Sequence, residues 1–327
     1  MTLLEVSDLQ IQYASARGFF KAVDGVSFAI RRGELFGLVG ESGCGKSTTA
    51  FAVSRLLKPP AQVVGGTITF DGQELTTLSD AEFDRLRWSR ISIVLQNAMS
   101  NLNPVMKIGA QLIDVLLTHR PKLTKAEAMS KAERMLELVD LPKDKLHRYP
   151  HELSGGMRQR VVIAMALILQ PDLLIMDEPT TALDVITQQG IVAKIVELKR
   201  TFGFSVLFIT HDLPLLLEIC DRVGVMYAGQ LAEVGSREEL LKGGGRHPYT
   251  QGLLQSFPSL HGPKVRLKGI PGSPPDLITP PPGCRFQPRC AHARPECATV
   301  KPGDLHDEKG FVSCHLYGEE ARSIAVA

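Results

Sequence analysis

Leu35-Phe36-Gly37-Leu38-Val39-Gly40-Glu41-Ser42-Gly43-Cys44-Gly45-Lys46-Ser47-Thr48 joins a short apolar run to a glycine-rich loop ending in Lys-Ser-Thr. The spacing is that of a phosphate-binding loop, which needs an apolar strand before it and a helix after it. Glycines let backbone N–H groups close around phosphate oxygens, where side chains would stand in the way. Gly40, Ser42, Gly43, Cys44, Gly45 and Thr48 therefore read as the cradle. Lys46 brings a point charge to the β- and γ-phosphates, and Ser47 offers a hydroxyl to Mg²⁺. By itself the loop specifies a binder of nucleoside phosphates and no more.

Two further segments narrow the chemistry. Leu173-Leu174-Ile175-Met176-Asp177-Glu178-Pro179 is an apolar strand with two carboxylates at its carboxyl end, where ligands of parallel sheets bind. Asp177 is placed to hold Mg²⁺, usually through water, and Glu178 to polarise an attacking water as general base. Leu153-Ser154-Gly155-Gly156-Met157-Arg158-Gln159 puts a capping serine and two glycines at the start of a helix. This is a second anion-binding device on a chain that already has one.

Around these segments the chain alternates strands and helices. Leu4–Val6, Gly25–Ile30, Leu35–Val39 and Val64–Phe70 read as strands, the last closed by an Asp71-Gly72 turn. Ser79 with Glu82, and Thr124 with Glu127, are capping boxes that open helices. Residues 97–156 are helical in character, with Met129, Ala132, Leu136 and Val139 at helical spacing. Strands return at Leu173–Met176, Ser205–Thr210 and Val223–Tyr227. Apolar strands alternating with helices imply an α/β fold with a covered parallel sheet.

The 327 residues are 44% hydrophobic and 22% charged, which is ordinary globular composition. A net charge of +2 excludes a protein built to coat nucleic acid. The longest apolar run, Val161–Leu169, is too short to cross a bilayer, and the first residues lack a signal-peptide pattern. A cytosolic chain is expected, with any membrane role exercised through partners.

After Gly243-Gly244-Gly245 the chain becomes proline-rich and loses helical period. A small loop-rich extension over 243–327 is expected, needing something besides an apolar core to order it. Cys284, Cys290, Cys297 and Cys314 crowd into it as C-x5-C-x6-C-x16-C. In a cytosolic chain such a cluster reads as a four-thiolate site, with Zn²⁺ and iron–sulfur both open. Cys44 reads as a small loop residue and Cys220 as core packing.

The conjunction of phosphate loop, Ser154-Gly155-Gly156 and Asp177-Glu178 resembles the ABC transporter ATPases. The resemblance implies a P-loop ABC nucleotide-binding domain over 1–242, with a RecA-like parallel core, an antiparallel β subdomain and a helical subdomain at about 97–157. It further implies that Gln96 touches Mg²⁺ and senses a transmembrane partner. Asp184, in Thr181-Ala182-Leu183-Asp184, is the matching D-loop aspartate, and His211 matches the switch histidine at the γ-phosphate. Tyr13 falls where the family places an aromatic against adenine. Ser154, Gly155, Gly156 and Asp184 would serve ATP held by a second ATPase subunit in a head-to-tail dimer.

Ala22–Phe28, Ser100–Pro104, His247-Pro248-Tyr249-Thr250, Gly269–Gly272 and Cys284–Cys290 are similar to the oligopeptide/dipeptide permease ATPases, so the resemblance spans nearly the whole chain. Asn97 departs from it, standing where an acidic residue is frequent. The implied function is ATP hydrolysis powering a bacterial importer of peptides or related small solutes, at the cytoplasmic face of the inner membrane. Implied partners are a second ATPase subunit, two transmembrane permease subunits and an extracytoplasmic solute-binding protein, with no nucleic acid. Implied cofactors are ATP and Mg²⁺, with a [4Fe–4S] cluster preferred over Zn²⁺ on the four cysteines. A DNA-structural ATPase would carry a long coiled coil between phosphate loop and signature, and none is legible. Translation-linked relatives carry two ATPase domains in tandem, and a P-loop kinase has no need of Ser154-Gly155-Gly156.

Overall fold

The structure, a computed structural model, describes residues 1–181, 183–256, 269–308 and 310–317. In chain order it opens with two long strands, β1 (Thr2–Ser15) and β2 (Gly18–Arg31), followed by the fully buried β3 (Leu35–Val39). The phosphate-loop segment leads straight into α1 (Lys46–Val53). Next come β4 (Ala61–Phe70), β5 (Gln73–Glu74) and α2 (Asp80–Leu86). β6 (Ile91–Val94) precedes the helices α3 (Ile108–His119), α4 (Lys125–Leu138) and α5 (Gly155–Leu167). β7 (Leu173–Asp177), α6 (Val185–Phe202), β8 (Ser205–Thr210), α7 (Leu213–Ile219), β9 (Arg222–Tyr227) and β10 (Gln230–Ser236) follow. The C-terminal part holds α8 (Arg237–Gly243), α9 (Pro248–Gln255), α10 (Glu296–Thr299), β11 (Asp304–Asp307) and β12 (Gly310–Ser313).

These elements form two compact units. One comprises Met1, 31–34 and 77–209. In it β6, β7 and β8 run parallel, with Ile91 opposite Leu173 and Leu173 opposite Ser205. β7 and β8 are buried at every position, as strands covered on both faces must be, and their centres, Leu173–Met176 and Val206–Ile209, read as apolar runs. Both capping boxes form: Ser79 and Thr124 accept from the N–H groups of Glu82 and Glu127, whose carboxylates return to the cap N–H. α3, α4 and α5 gather the helical part of this unit around Leu112, Leu116, Ala132 and Leu136.

The other unit comprises 2–30, 35–76 and 210–327. Its antiparallel sheet has the order β2-β1-β4-β5, with Leu4 opposite Phe70 and Tyr13 opposite Ala61. Asp71 and Gly72 both take positive φ, as the tight hairpin between β4 and β5 requires. Its second set of strands runs β11-β12-β10-β9-β3, with β3 and β9 parallel and the others antiparallel. The C-terminal residues are thus not only loop: β12 adds itself to β10, with Val312 opposite Glu233. Several strands exceed the sequence expectation. β1 and β2 each run 14 residues, because exposed polar positions interrupt their apolar pattern without ending the strand, although the β1–β4 register shifts between Ser7 and Ile11.

Candidate nucleotide site

The phosphate loop belongs to the second unit. Gly45 caps α1 at φ 105°, and a Cβ there would lie 2.3 Å from the Ala22 carbonyl oxygen, so no other residue fits the turn. Lys46, only 5% exposed, donates from Nζ to the carbonyls of Gly40 at 2.7 Å and Glu41 at 3.1 Å. The ammonium is therefore held at the mouth of the loop by acceptors that a phosphate oxygen can replace. Burial pushes the Cys44 thiol pKa up against the pull of nearby Lys46, so Cys44 packs the loop as a neutral group. Tyr13 reaches the same loop, its hydroxyl 3.4 Å from Thr48 Oγ1. His211 follows β8 directly and is exposed, and the next residue, Asp212, caps α7 by accepting from Leu215 N–H.

The two carboxylates belong to the first unit. Asp177 ends β7 and is 1% exposed. Glu178 takes φ 44°, a left-handed conformation that costs a non-glycine residue roughly 1–3 kcal/mol and is found where a site over-determines the backbone. Its Oε2 accepts from Gln96 Nε2 at 3.3 Å and Thr181 Oγ1 at 3.0 Å. The structure therefore joins Gln96 to Glu178, which the sequence reading did not foresee. Thr181 was quoted for its motif and assigned no role there, although its hydroxyl fixes the carboxylate.

In the same unit Ser154 is the N-cap of α5, accepting from Met157 N–H at 3.3 Å. Ser154 itself is exposed at this helix end. A Cβ on Gly156 would lie 2.6 Å from Thr187 Cγ2, so the second glycine is required for the close approach of α6. Asp184 caps α6, accepting from Thr187 N–H at 2.9 Å and Thr187 Oγ1 at 2.7 Å. The N–H bond from Thr187 is the main reason its carboxyl titrates below the ordinary aspartate range.

The four tail cysteines line one cavity of about 20 Å³, with His247, His292 and His315 among its walls. Burial first, and the neighbouring cysteines second, raise the thiol pKa of Cys314 to about 11, and burial also raises Cys284 and Cys290. The donor set is one that a thiolate-bound metal needs, but the cavity is about the size of one water. Among the described residues no three His, Cys, Asp or Glu side chains form a group that could hold a metal ion. The metal-binding character expected of the extension is therefore not supported by the structure.

What the extension does build is a set of contacts on the phosphate-loop unit. Arg285, 5% exposed, donates to the Ala228 carbonyl and to Asp24. Arg289 forms a two-pronged pair with Glu41, at 2.8 and 3.0 Å. Tyr249, fully buried, accepts at its hydroxyl from Glu41 N–H at 2.9 Å. Sequence reading missed these residues, since 248 positions separate Arg289 from Glu41 and no local pattern pairs them.

A glycine-rich loop after a buried strand, a buried carboxylate at the end of another strand and a second open helix N-terminus are the features of a nucleotide-hydrolysing cassette. The ABC transporter family model matches residues 23–181, and that of the oligopeptide/dipeptide transporter C-terminal region matches 232–297. The oligopeptide transport ATP-binding protein OppD of Salmonella typhimurium is 47% identical over 320 residues, covering 97% of this chain and 95% of the relative. The dipeptide transport ATP-binding protein DppD of Bacillus subtilis is 45% identical, covering 98% and 96%. Among solved structures, a dimeric ATP-binding cassette in a post-hydrolysis state, bound to ADP and Pi, aligns with TM-score 0.64 at 26% identity. That alignment covers 72% of this chain and 98% of the other. A Clostridium perfringens component of the cbiONQ transporter complex aligns equally well, at 29% identity over 74% and 91%. The chain belongs to the ABC transporter family and is an ATP-binding subunit of its oligopeptide/dipeptide branch.

Proposed function

We propose that this chain hydrolyses ATP to power import of peptides or related small solutes, at the inner face of the bacterial cell membrane. The observation that carries the reading is the presence, on one chain, of a phosphate loop and a second exposed helix N-terminus at Ser154-Gly155-Gly156. A single nucleotide uses one such device, so the second serves ATP on another subunit. Exposed Val185 and Ile186, at 69% and 83%, stand beside Asp184 and give that partner an apolar surface to cover. Relatives named for oligopeptide and dipeptide transport support the solute class. No helix among the described residues is long and apolar enough to cross a membrane, so the solute path lies in permease subunits.

In this reading the loop amides, Lys46 and Thr48 hold the phosphates of ATP, and Tyr13 stacks on adenine. Ser47, Gln96 and Asp177 provide oxygens for Mg²⁺, which would neutralise charge on the phosphates when bound. Glu178 takes the proton of the attacking water, with Gln96 and Thr181 orienting its carboxylate. His211 donates to the γ-phosphate as charge develops there. Ser154, Gly155, Gly156 and Asp184 act on the nucleotide of the opposite subunit. Residues 1–242 form the nucleotide-binding domain, with its helical part at about 97–157 meeting the permease, and 243–327 form the extension.

Cys284, Cys290, Cys297 and Cys314 would hold a [4Fe–4S] cluster in preference to Zn²⁺. The lining of one cavity by all four thiols is compatible with a thiolate-bound centre, and the preference for the cluster over Zn²⁺ rests on the family resemblance. Co-purification with permease and solute-binding partners tests the function. ATP turnover in the reconstituted complex should rise when binding protein loaded with short peptides is added. Turnover indifferent to every peptide-loaded binding protein would exclude the peptide assignment.

A further inference from the structure

Glu41 is the first variable residue of the phosphate loop, and each of its polar groups is engaged. Its carbonyl accepts from Lys46 Nζ at 3.1 Å, and its N–H donates to Tyr249 Oη at 2.9 Å. Its carboxylate takes both prongs of Arg289, Nη1 to Oε2 at 2.8 Å and Nη2 to Oε1 at 3.0 Å. Two of these three anchors come from the C-terminal extension, and the third is the lysine that must meet the phosphates.

Arg289 is built into place. The remaining bonds of its guanidinium run from Nε to Pro271 O at 2.7 Å, from Nη1 to Tyr227 Oη at 3.2 Å and from Nη2 to Ile270 O at 3.3 Å. Five N–H donors thus meet five acceptors, the complete capacity of the fork. The rings of Tyr227 and Phe286 lie 5.6 and 5.9 Å from its central carbon. The side chain is 5% exposed against 26% for Glu41. Burial works against its charge, and the bonds from Glu41 and Tyr227 more than restore it. A lysine could keep the charge but not the fork.

We propose that Arg289 is a positioning residue for ATP: by clamping Glu41 from outside, it holds the phosphate loop in its binding shape before nucleotide arrives. The proposal rests on the reading of Gly40–Thr48 as the ATP loop. A loop ordered in advance loses less entropy on binding, so the clamp acts on affinity rather than on the chemical step. Arg285 and Arg289 stand one residue inside Cys284 and Cys290, so the clamp is carried by the segment those two cysteines bound. Arg285 fastens the same segment to Asp24 and Ala228, beside the Gly229 N–H that donates to the Cys44 carbonyl of the loop.

The test uses the full chain in its assembled transporter, with Arg289→Lys, Glu41→Gln and the double variant. KM for ATP and equilibrium binding of a fluorescent ATP analogue should each weaken about tenfold in either single variant, with kcat within twofold of wild type. The double variant should be no weaker than the singles, because both remove one contact. Glu41→Gln is nearly isosteric and partly exposed, so it keeps the measurement free of misfolding, which thermal melting checks. Wild-type affinity in both single variants would overturn the clamp, as would a double variant weakened about a hundredfold or a loss confined to kcat. Failure of the wild-type chain to bind the analogue would instead strike the ATP reading on which the clamp stands.

Discussion

Replacing Glu178 by Gln separates the proposed chemistry from the structure that holds it. Both side-chain bonds described for Glu178 end on Oε2, from Gln96 Nε2 at 3.3 Å and Thr181 Oγ1 at 3.0 Å. A glutamine can put its amide oxygen at that position and keep both donors, while the unusual backbone at φ 44° is untouched by a change at the end of the side chain. The cost to folding should therefore stay below about 1 kcal/mol, within the range of isosteric changes that leave no donor unpaired. The effect on turnover is of another size. A positioned general base contributes roughly 10²–10⁴ in rate, so kcat should fall by that factor, equivalent to about 3–5 kcal/mol of barrier. ATP binding should be retained, because phosphate loop and Lys46 are unchanged. Phosphate release from the assembled transporter and equilibrium nucleotide binding measure the two quantities separately. Wild-type turnover by Glu178→Gln would refute the base assignment. An equal loss of binding and turnover would show instead that the carboxylate orders the site.

Three further outcomes are expected. Turnover per chain should fall on dilution of the isolated subunit if Ser154 serves nucleotide on a second ATPase subunit as proposed, and a specific activity constant with concentration would contradict this. His247 is buried, and burial lowers its pKa from 6.5 to about 4. The unfolded chain then binds the extra proton between those values, so stability should be full above about pH 6.5 and decline by up to about 3 kcal/mol as pH falls toward 4. His247→Asn can still accept from Tyr249 N–H and should remove that part of the pH dependence of thermal melting. Anaerobically purified protein should be brown and carry iron and sulfide, and Cys314→Ser should shed both with ATP binding unchanged. Colourless protein with one zinc would replace the cluster and keep the ligands.

The parts of the fold that were legible in sequence are those whose cause is local. β3 begins and ends where its apolar run does, and the run Val206–Ile209 marks β8, because strands buried on both faces are built mainly of apolar residues. The capping boxes at Ser79 and Thr124 are closed by residues three apart, a distance that sequence displays. β11 and β12 were not legible, since Asp304, His306 and Asp307 carry no strand pattern and the strands exist by backbone pairing, β12 onto β10 and β11 onto β12. The roles of Lys46 and Ser154 could be read from neighbouring residues, whereas Arg289 gains its meaning from a partner near the other end of the chain.

The same contrast changes the account of how the extension is ordered. A proline-rich segment with few large apolar residues suggested that metal binding must supply the missing stabilisation. The structure offers other sources. Phe286 enters an aromatic group with Tyr227 and Tyr249 at centroid distances of 5.2 and 5.4 Å, and such pairs contribute about 0.5–1.5 kcal/mol each beyond their burial. Buried Arg285 pairs with partly exposed Asp24, which spares the guanidinium an unpaired burial. β12 pairs with β10 at Glu233, Val234 and Gly235. Docking on the phosphate-loop unit therefore accounts for order in the described part of the extension without a metal. A cluster, where present, would act locally on the Cys284–Cys290 segment, and that segment carries the two arginines that reach Asp24 and Glu41. The extension is thus tied to nucleotide binding by its arginines, whatever its cysteines hold.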